Sequence, residues 1–444
     1  MDKVITGGKY RVAGELTVPG DKSISHRSVM LGALSDGVTH VKGFLNGADC
    51  LSTISCFRKM GIDISLSEDE TEVIIRGKGM HGLTAPQGVL DCGNSGTTTR
   101  LISGILAAQD FDSSVTGDES IQKRPMKRIM TPLLSMGADI RSVRDNGCAP
   151  LQIRGRKLHG ICYESPVASA QVKSAVLFAG LYAAGETRII EPSLSRNHSE
   201  LMLQALGADV SAAVLPDGRA EITLEPCNKL TAMPGVLQIP ADISSAAYFI
   251  SAALLLPDSE LLLRNVGINP TRAGILDVYR MMGADIAEEN RQLSGFEEIA
   301  DLRVRYSRLH GTEIGGAMIP RLIDELPMIA ALAAAADGVT VIRDAAELKV
   351  KESNRIRVMV SGLRACGIRA EETEDGMIIY GQGENLRPDS AVIDTCRDHR
   401  IAMTFAVLGL KGTEKTELLL RDADCIAISY PNFYKDLLKV LDKN

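Results

Sequence analysis

The chain has 444 residues, 45% of them hydrophobic and 24% charged, which is typical of a folded globular protein and excludes collagen-like and disordered chains. Its 49 Lys and Arg against 56 Asp and Glu give a net charge of −7, so binding of nucleic acid by bulk electrostatics is not expected. Aromatic residues make up 4%, with no Trp, which argues against base-stacking platforms and favours small-molecule chemistry. The length predicts two to four domains or one internally duplicated architecture.

The first predicted element is a helix that starts at a polar residue, breaks near Gly37 and continues as a strand rich in Thr and Val. This pattern recurs six times, over residues 23–41, 95–115, 169–189, 242–262, 324–341 and 398–418. The breaks are 74 residues apart in four of the five intervals and 79 apart in the other. A period this long exceeds the roughly 20–50 residues of solenoid repeats and favours closed globular domains.

A second predicted helix ends at a glycine C-cap in five of the six copies, and a strand follows it. The caps are Met60-Gly61, Met136-Gly137, Leu206-Gly207, Met282-Gly283 and Cys366-Gly367. Each copy is therefore predicted to be a β-α-β-α-β-β repeat. The sixth copy lacks this mark, so the N-terminal strands in residues 4–18 are expected to complete it.

Two interruptions by Pro and Gly predict hinges near residues 19–21 and 239–242. The expected fold is α/β, with two domains of three repeats each. One domain comprises residues 1–20 and 241–444, and the other comprises residues 21–240.

Basic residues recur where these helices begin: Lys22, Arg27, Arg124, Lys173, Arg196, Arg272, Lys351, Arg355 and Arg400. The neighbouring Ser, Asn and Asp are explained by N-capping. The basic residues are not, because the macrodipole already places about half a positive charge at a helix N-terminus. We expect the helix N-termini to face an interdomain cleft that holds phosphates or carboxylates.

Other phosphate and metal motifs fit poorly. Residues 14–23 resemble a Walker A loop, but Asp21 separates Gly20 from Lys22 and the interval between the glycines is one residue too long. The sequence Gly-x-Gly-x-x-Gly at residues 77–82 is followed by Pro86 and Gly88 where a helix should begin, so a turn is expected. The seven His show no His-Glu-x-x-His spacing, and no metal site is predicted.

The nine Cys are scattered singly, without a Cys-x-x-Cys spacing, and predict reduced thiols of a cytoplasmic protein. Residues 1–8 contain no apolar signal core, and the longest apolar run, 326–336, is shorter than the roughly 20 residues of a membrane span. We therefore expect no membrane partner.

Eight motifs resemble those of the 5-enolpyruvylshikimate-3-phosphate synthase family, and together they span the whole chain. They are Pro19–Arg27, Gly93–Arg100, Lys123–Met126, Ser169–Lys173, Asn269–Arg272, Asp324–Pro327, Val350–Arg355 and Asp398–Arg400. Ser-Ala-Gln and Asn-Pro-Thr-Arg resemble the form of the family usually called class II. The resemblance implies two inside-out α/β domains. It also implies transfer of the enolpyruvyl group of phosphoenolpyruvate to the 5-hydroxyl of shikimate 3-phosphate, with release of phosphate and without metal or organic cofactor.

The resemblance also implies a role for individual residues. Phosphoenolpyruvate would be held by Lys22, Arg124, Arg355 and Arg400, with a close approach at Asn94 and Gly96. Shikimate 3-phosphate would be held by Ser23, Arg27, Ser169, Gln171, Arg196 and Lys351. Asp324 would bind and deprotonate the attacking hydroxyl, Glu352 would protonate C3, and Lys22 would share proton transfer.

Three residues depart from the family pattern. Ala170 replaces a second Ser, which is expected to remove one substrate contact. Glu347 replaces Asn, and its carboxylate is expected to need Lys349 or Lys351 as a partner. Ile428 stands where some members place a Lys on phosphoenolpyruvate, which leaves one cation unassigned.

Two alternatives stay open at this point. The UDP-N-acetylglucosamine enolpyruvyl transferases share the fold and donor, but residues 110–123 lack the Cys of that family's reactive loop. A non-catalytic repeat scaffold would expose apolar stripes, whereas these helices place charge at one end. The favoured expectation is a monomeric enzyme acting on small molecules.

Overall fold

The computed structural model describes residues 1–443. Its strands are β1 (Lys3–Thr6), β2 (Tyr10–Leu16), β3 (Ser35–Lys42), β4 (Asp63–Leu66), β5 (Glu72–Lys78), β6 (Leu90–Asp91), β7 (Asp112–Thr116), β8 (Asp139–Ser142), β9 (Leu151–Arg154), β10 (Cys162–Glu164), β11 (Thr187–Glu191), β12 (Val210–Val214), β13 (Ala220–Leu224), β14 (Leu230–Thr231), β15 (Val236–Gln238), β16 (Glu260–Gly267), β17 (Asp285–Ser294), β18 (Glu297–Arg305), β19 (Glu313–Ile314), β20 (Val339–Ile342), β21 (Ala370–Glu372), β22 (Met377–Tyr380), β23 (Ala391–Asp394), β24 (Glu417–Arg421) and β25 (Leu441–Lys443). Its α-helices are α1 (Lys22–Leu34), α2 (Ala48–Lys59), α3 (Gly96–Leu106), α4 (Lys127–Ser135), α5 (Ala170–Gly180), α6 (His198–Ala205), α7 (Ile243–Leu255), α8 (Gly274–Met281), α9 (Ile319–Leu322), α10 (Leu326–Ala333), α11 (Arg355–Ala365), α12 (His399–Gly409) and α13 (Phe433–Val440).

The strands form sheets with one recurring order, seen in β6-β7-β9-β8, β10-β11-β13-β12 and β19-β20-β22-β21. In the first of these, β6 runs parallel to β7, while β9 is antiparallel to both β7 and β8. Each sheet collects the strands of one repeat in the order first, second, fourth, third. The predicted β-α-β-α-β-β repeat is confirmed.

Three sheets take strands from distant parts of the chain. The N-terminal β1 pairs with β24 in the sixth sheet, as expected, but β2 runs parallel to β16 in the fourth sheet. The prediction that all of residues 4–18 complete the sixth repeat was therefore wrong for β2. The fourth repeat has no first strand of its own after Pro240, and β2 fills that place. In the same way β14 and β15 run parallel to β3 and complete the first sheet.

The first helix of each repeat lies inside, with the sheet outside it. All thirteen residues of α7 are buried, as are most residues of α1, α3, α5, α10 and α12. A helix that is apolar on every face is stable only when it is packed all round. Gly104 permits the close packing of α3 on α5, because a Cβ there would lie 2.1 Å from the carbonyl oxygen of Ala175.

The chain divides into two compact units, each with its own apolar core. The terminal unit comprises Met1–Pro19, Pro240–Leu293 and the chain from Glu297 onward, and the central unit comprises Gly20–Ile239 with Ser294–Phe296. None of the helices within residues 1–443 is long and apolar enough to cross a membrane.

Candidate active site

The starts of the inner helices carry most of the predicted site residues. Asp21, Ser95 and Ser169 cap α1, α3 and α5 in the central unit by accepting backbone N–H groups. Asp242 and Asp398 cap α7 and α12 in the terminal unit in the same way. These short polar side chains satisfy helix N–H groups and fix where each helix begins. The basic and acidic residues beside them are thereby held at one end of each unit.

In the terminal unit, Arg355 lies at the centre of three carboxylates. Its Nε donates to Asp398 Oδ2 at 2.8 Å, its Nη2 donates to Glu352 Oε2 at 2.6 Å, and its Nη1 lies 3.4 Å from Asp324 Oδ1. The Arg355 side chain is only 1% exposed. Burial disfavours its charge, but Asp398 and Glu352 outweigh that effect and raise the pKa of the guanidinium above its usual value. One cation thus orients both predicted catalytic carboxylates.

Asp324 is surrounded by three cations. Its carboxylate lies 3.6 Å from Lys351 Nζ, 3.4 Å from Arg355 Nη1 and 3.8 Å from Arg400 Nη2. Arg400 Nη1 also donates to the backbone carbonyl of Asp324 at 3.0 Å. Three positive neighbours favour the ionised carboxylate, which is the form that a general base needs before reaction.

A second buried cluster supports this group. Arg272 was expected to face a bound anion, but it is buried against the carboxylates of Asp242 and Glu325. Arg272 Nη1 donates to Glu325 Oε1 at 2.9 Å, and Ser244 makes a short hydrogen bond to the same carboxylate. Arg400 Nη2 donates to Ser244 Oγ at 3.2 Å, which joins this cluster to Asp324. The signal was present in the Asn-Pro-Thr-Arg and Asp-Glu-Leu-Pro motifs, but the pairing of Arg272 with Glu325 could not be read from the sequence.

In the central unit, Lys22 at the start of α1 forms an ion pair with Asp49 on α2, whose side chain is 6% exposed. One turn later, Arg27 donates to the carbonyl of Ser23 at 3.0 Å and to the hydroxyls of Ser174 and Ser199 at 2.8 and 2.7 Å. These contacts hold the first turn of α1 against α2, α5 and α6.

Two arginines flank Gly96 at the start of α3. Arg124 Nη2 donates to Asn94 Oδ1 at 3.0 Å, and Arg100 Nη1 donates to Gln171 Oε1 at 2.5 Å. A Cβ at Gly96 would lie 2.9 Å from Arg100 Nη1 and 3.3 Å from Arg124 Nη1. These contacts bring together four predicted site residues: Asn94, Gly96, Arg124 and Gln171. Arg100 links them, although no role was predicted for it from the sequence.

Ser169 and Arg196 lie near a buried acidic side chain, Glu191. The backbone N–H of Ser169 donates to Glu191 Oε1 at 2.9 Å, and Ser195, which precedes Arg196, donates its hydroxyl to Glu191 Oε2 at 2.7 Å. Lys173 Nζ lies 3.2 Å from Glu191 and 2.8 Å from Glu200. Lys173 was expected to face a bound anion, but it is fully buried against these two carboxylates. For this residue the protein itself supplies the anions.

The structure also places the departures from the family pattern and the lysines expected to pair with Glu347. Of the two lysines expected near Glu347, Lys351 Nζ lies 3.6 Å from the Asp324 carboxylate. Lys349 Nζ donates to the backbone carbonyl of Glu374 at 2.5 Å. Ala170 is the first residue of α5, and Ile428 ends the 3-10 turn Ala423–Ile428. Among residues 1–443, no cluster of three or more His, Cys, Asp or Glu side chains is placed to hold a metal ion.

Comparison with known proteins agrees with this arrangement. The sequence pattern of the family described as EPSP synthase (3-phosphoshikimate 1-carboxyvinyltransferase) matches residues 6–437. The 3-phosphoshikimate 1-carboxyvinyltransferase of Alkaliphilus metalliredigens (strain QYMF) is 51% identical over 441 residues, which cover 99% of this chain and 100% of that one. The enzyme of the same name from Bacillus cereus (strain G9842) is 51% identical over 427 residues, 96% of each chain.

Solved structures show the same architecture. An EPSP synthase from Acinetobacter baumannii superimposes with a TM-score of 0.86 at 44% identity, covering 99% of both chains. The enolpyruvyl transferase NikO from Streptomyces tendae superimposes with a TM-score of 0.75 at 17% identity, covering 99% of this chain and 98% of that one, and so shares the fold. The predicted two-domain α/β fold is confirmed, and neither the UDP-N-acetylglucosamine branch nor a non-catalytic scaffold is favoured. The chain belongs to the EPSP synthase family, the 3-phosphoshikimate 1-carboxyvinyltransferases.

Proposed function

We propose that this chain transfers the enolpyruvyl group of phosphoenolpyruvate to the 5-hydroxyl of shikimate 3-phosphate, with Asp324 as the base and Glu352 as the acid. The proton added to C3 makes C2 electrophilic, the hydroxyl adds to C2, and phosphate then leaves as a proton is lost from the new methyl group. The observation that carries these roles is the contact of both carboxylates with one buried guanidinium, that of Arg355.

The ion pairs of the terminal unit suggest how binding prepares the two carboxylates. A substrate phosphate or carboxylate that contacts Arg355 or Arg400 competes with Glu352 and Asp324 for the same N–H groups. Weakening those pairs makes each carboxylate easier to protonate. Glu352 could then take up the proton that it delivers to C3, and Asp324 could accept the proton of the hydroxyl.

The central unit is proposed to supply most of the binding contacts. Phosphoenolpyruvate would be held by Lys22, Arg124 and the backbone at Asn94 and Gly96. Shikimate 3-phosphate would contact Ser23, Arg27, Ser169, Gln171 and Arg196, with Lys351 added from the terminal unit. Charge-assisted donors of this kind give the strongest hydrogen bonds to phosphate. Lys22 is proposed to share proton transfer.

The organisation proposed from the sequence places the catalytic carboxylates in residues 1–20 and 241–444 and most shikimate 3-phosphate contacts in residues 21–240. We further propose a monomer. A cytoplasmic location is proposed from the nine cysteines, none of which is paired in a disulfide in residues 1–443.

The proposed reaction is tested by mixing the purified chain with shikimate 3-phosphate and phosphoenolpyruvate and measuring phosphate release, with and without a chelator. We expect one phosphate per enolpyruvyl group transferred, unchanged by the chelator. Parallel incubation with UDP-N-acetylglucosamine as acceptor tests the alternative. Phosphate release with that acceptor alone would overturn the proposal.

A further inference from the structure

A buried cluster in the central unit lies outside the groups so far assigned to substrate. It consists of Lys173 on α5, Glu191 at the end of β11 and Glu200 on α6, whose side chains are 0%, 1% and 2% exposed. Burying a charged group is unfavourable unless it is paired and hydrogen-bonded. Burial opposes the charge of Lys173, but Glu200 and Glu191 outweigh it and raise the pKa of the ammonium group. The cluster therefore holds one cation against two acidic side chains.

The two carboxylates pair with the same ammonium group, but their other contacts differ. Glu191 accepts the backbone N–H of Ser169 at 2.9 Å, the backbone N–H of Ser195 at 3.3 Å, and the Ser195 hydroxyl at 2.9 and 2.7 Å. Glu200 forms an ion pair with Lys173 at 2.8 Å. Glu191 thus ties the residue that caps α5 to the loop that leads into α6.

The hydrogen bonds of Glu191 connect two segments that carry residues proposed to bind substrate: Ser169 itself, and Arg196 directly after Ser195. Lys173 Nζ adds a hydrogen bond to the carbonyl of Ser195 at 3.0 Å. Two loops that would otherwise be free to vary are held at a fixed separation before substrate arrives. Such preorganisation lowers the ordering cost of binding.

We propose that Glu191 is a positioning residue for shikimate 3-phosphate, because it fixes Ser169 and the Ser195–Arg196 loop in the geometry that the substrate needs. This inference rests on the proposed function for the identity of the substrate. Glu191 acts through Ser169 and Arg196 and is not itself proposed to contact the substrate.

The chain offers a matched pair of variants, Glu191→Gln and Glu200→Gln. Each replaces one buried carboxylate that faces Lys173 and leaves the other, so their effects on charge balance should be similar. Only Glu191→Gln also replaces an acceptor of the Ser169 and Ser195 groups with an NH₂. We expect Glu191→Gln to raise the KM for shikimate 3-phosphate about tenfold, the loss expected for a charge-assisted hydrogen bond. The kcat and the KM for phosphoenolpyruvate at saturating acceptor should stay close to wild type, and Glu200→Gln should keep the wild-type KM.

Amide hydrogen exchange without substrate separates this inference from the proposed reaction. Peptides covering residues 165–172 and 193–198 should exchange faster in Glu191→Gln than in Glu200→Gln. If wild type fails to turn over shikimate 3-phosphate but this exchange difference is seen, the positioning role stands and the substrate is wrong. Equal exchange and equal KM in the two variants would overturn the positioning role.

Ser195→Ala provides a second test that leaves all three charges in place, in case Glu191→Gln does not accumulate as folded protein. It removes the hydroxyl that donates to Glu191 and should raise the KM for shikimate 3-phosphate about threefold. Unchanged KM and unchanged exchange of residues 193–198 in Ser195→Ala would contradict the proposal.

Discussion

In the terminal unit Arg355 donates to the carboxylates of Glu352 and Asp398 at 2.6 and 2.8 Å. In the central unit Arg124 instead donates to the amide oxygen of Asn94 at 3.0 Å and to the hydroxyl of Ser120 at 2.9 Å. A carboxylate acceptor orients a guanidinium and also offsets part of its positive charge. An amide oxygen or a hydroxyl orients the guanidinium without adding a negative charge.

This difference suggests a division of labour between the two clusters. Carboxylates that share a cation can be released when a substrate anion takes their place, which suits groups that must gain or lose protons. In the central unit the neutral groups around Arg124 orient its guanidinium, while Lys22 is paired with the carboxylate of Asp49.

Lys22→Ala should have the largest effect on turnover. Loss of a charged hydrogen bond to a desolvated phosphate should cost about 2–5 kcal/mol, or roughly 30- to 4000-fold in kcat/KM. Lys22 also pairs with Asp49, whose side chain is 6% exposed, so the variant should melt at a lower temperature as well. Adding Asp49→Asn should restore the melting temperature but not the turnover. Recovery of both would show that Lys22 acts only as a structural ion pair.

Asp324→Asn should lose about 10²-fold in kcat, because an amide cannot accept the hydroxyl proton. Folding and substrate binding should be retained, as checked by circular dichroism and by calorimetry with shikimate 3-phosphate. The exposed Asp337, which follows α10, provides a control, and Asp337→Asn should turn over normally. Normal turnover of Asp324→Asn would place the base elsewhere. The next candidates would be Lys22 and the buried His399, which begins α12 directly after Asp398.

Gly96→Ala should raise the KM for phosphoenolpyruvate several-fold with little change in stability. The new Cβ would lie 2.9 Å from the end of the Arg100 side chain, which is flexible enough to shift. That shift disturbs the hydrogen bond from Arg100 to Gln171 and narrows the approach beside Arg124. Steady-state kinetics with each substrate varied in turn would measure the two KM values. An unchanged KM for phosphoenolpyruvate would remove Gly96 from that subsite.

The fold was predictable because the same local signals recur with a fixed spacing. A polar cap, an apolar helix and a glycine stop are each properties of a few neighbouring residues, and each copy yields one sheet of the structure. The destination of β1 was predicted correctly, but that of β2 was not. Both are short strands before Pro19, and which sheet they join depends on which distant strand has an open edge.

The sequence located the candidate residues at the helix starts, but it did not predict which side chains pair with one another. Arg355 and Lys173 both follow a helix cap, and the sequence gives both as candidate anion ligands. The structure shows Lys173 buried on Glu191 and Glu200, which lie 18 and 27 residues further along the chain. Nothing local marks those two glutamates as its partners, because their meeting depends on the packing of α5 against β11 and α6.

The free energy of unfolding should depend on pH through His26 of the central unit, and this is the smallest of the predicted effects. Burial lowers the pKa of this imidazole well below its usual 6.5, and the charges of Lys22 and Arg27 add to that effect. The ring shares a hydrogen bond of 2.7 Å between Nδ1 and the hydroxyl of Thr53. The unfolded chain binds a proton at His26 below about pH 6.5, while the folded chain does not, so stability is lost as the pH falls through that value, by at most about 1.4 kcal/mol per pH unit. Between pH 7.5 and 5.5, the free energy of unfolding measured with urea should fall by about 1 kcal/mol more in wild type than in His26→Gln. Arg355, whose pKa is raised, stays charged throughout this range. Equal losses in the two proteins would show that His26 does not carry this pH dependence.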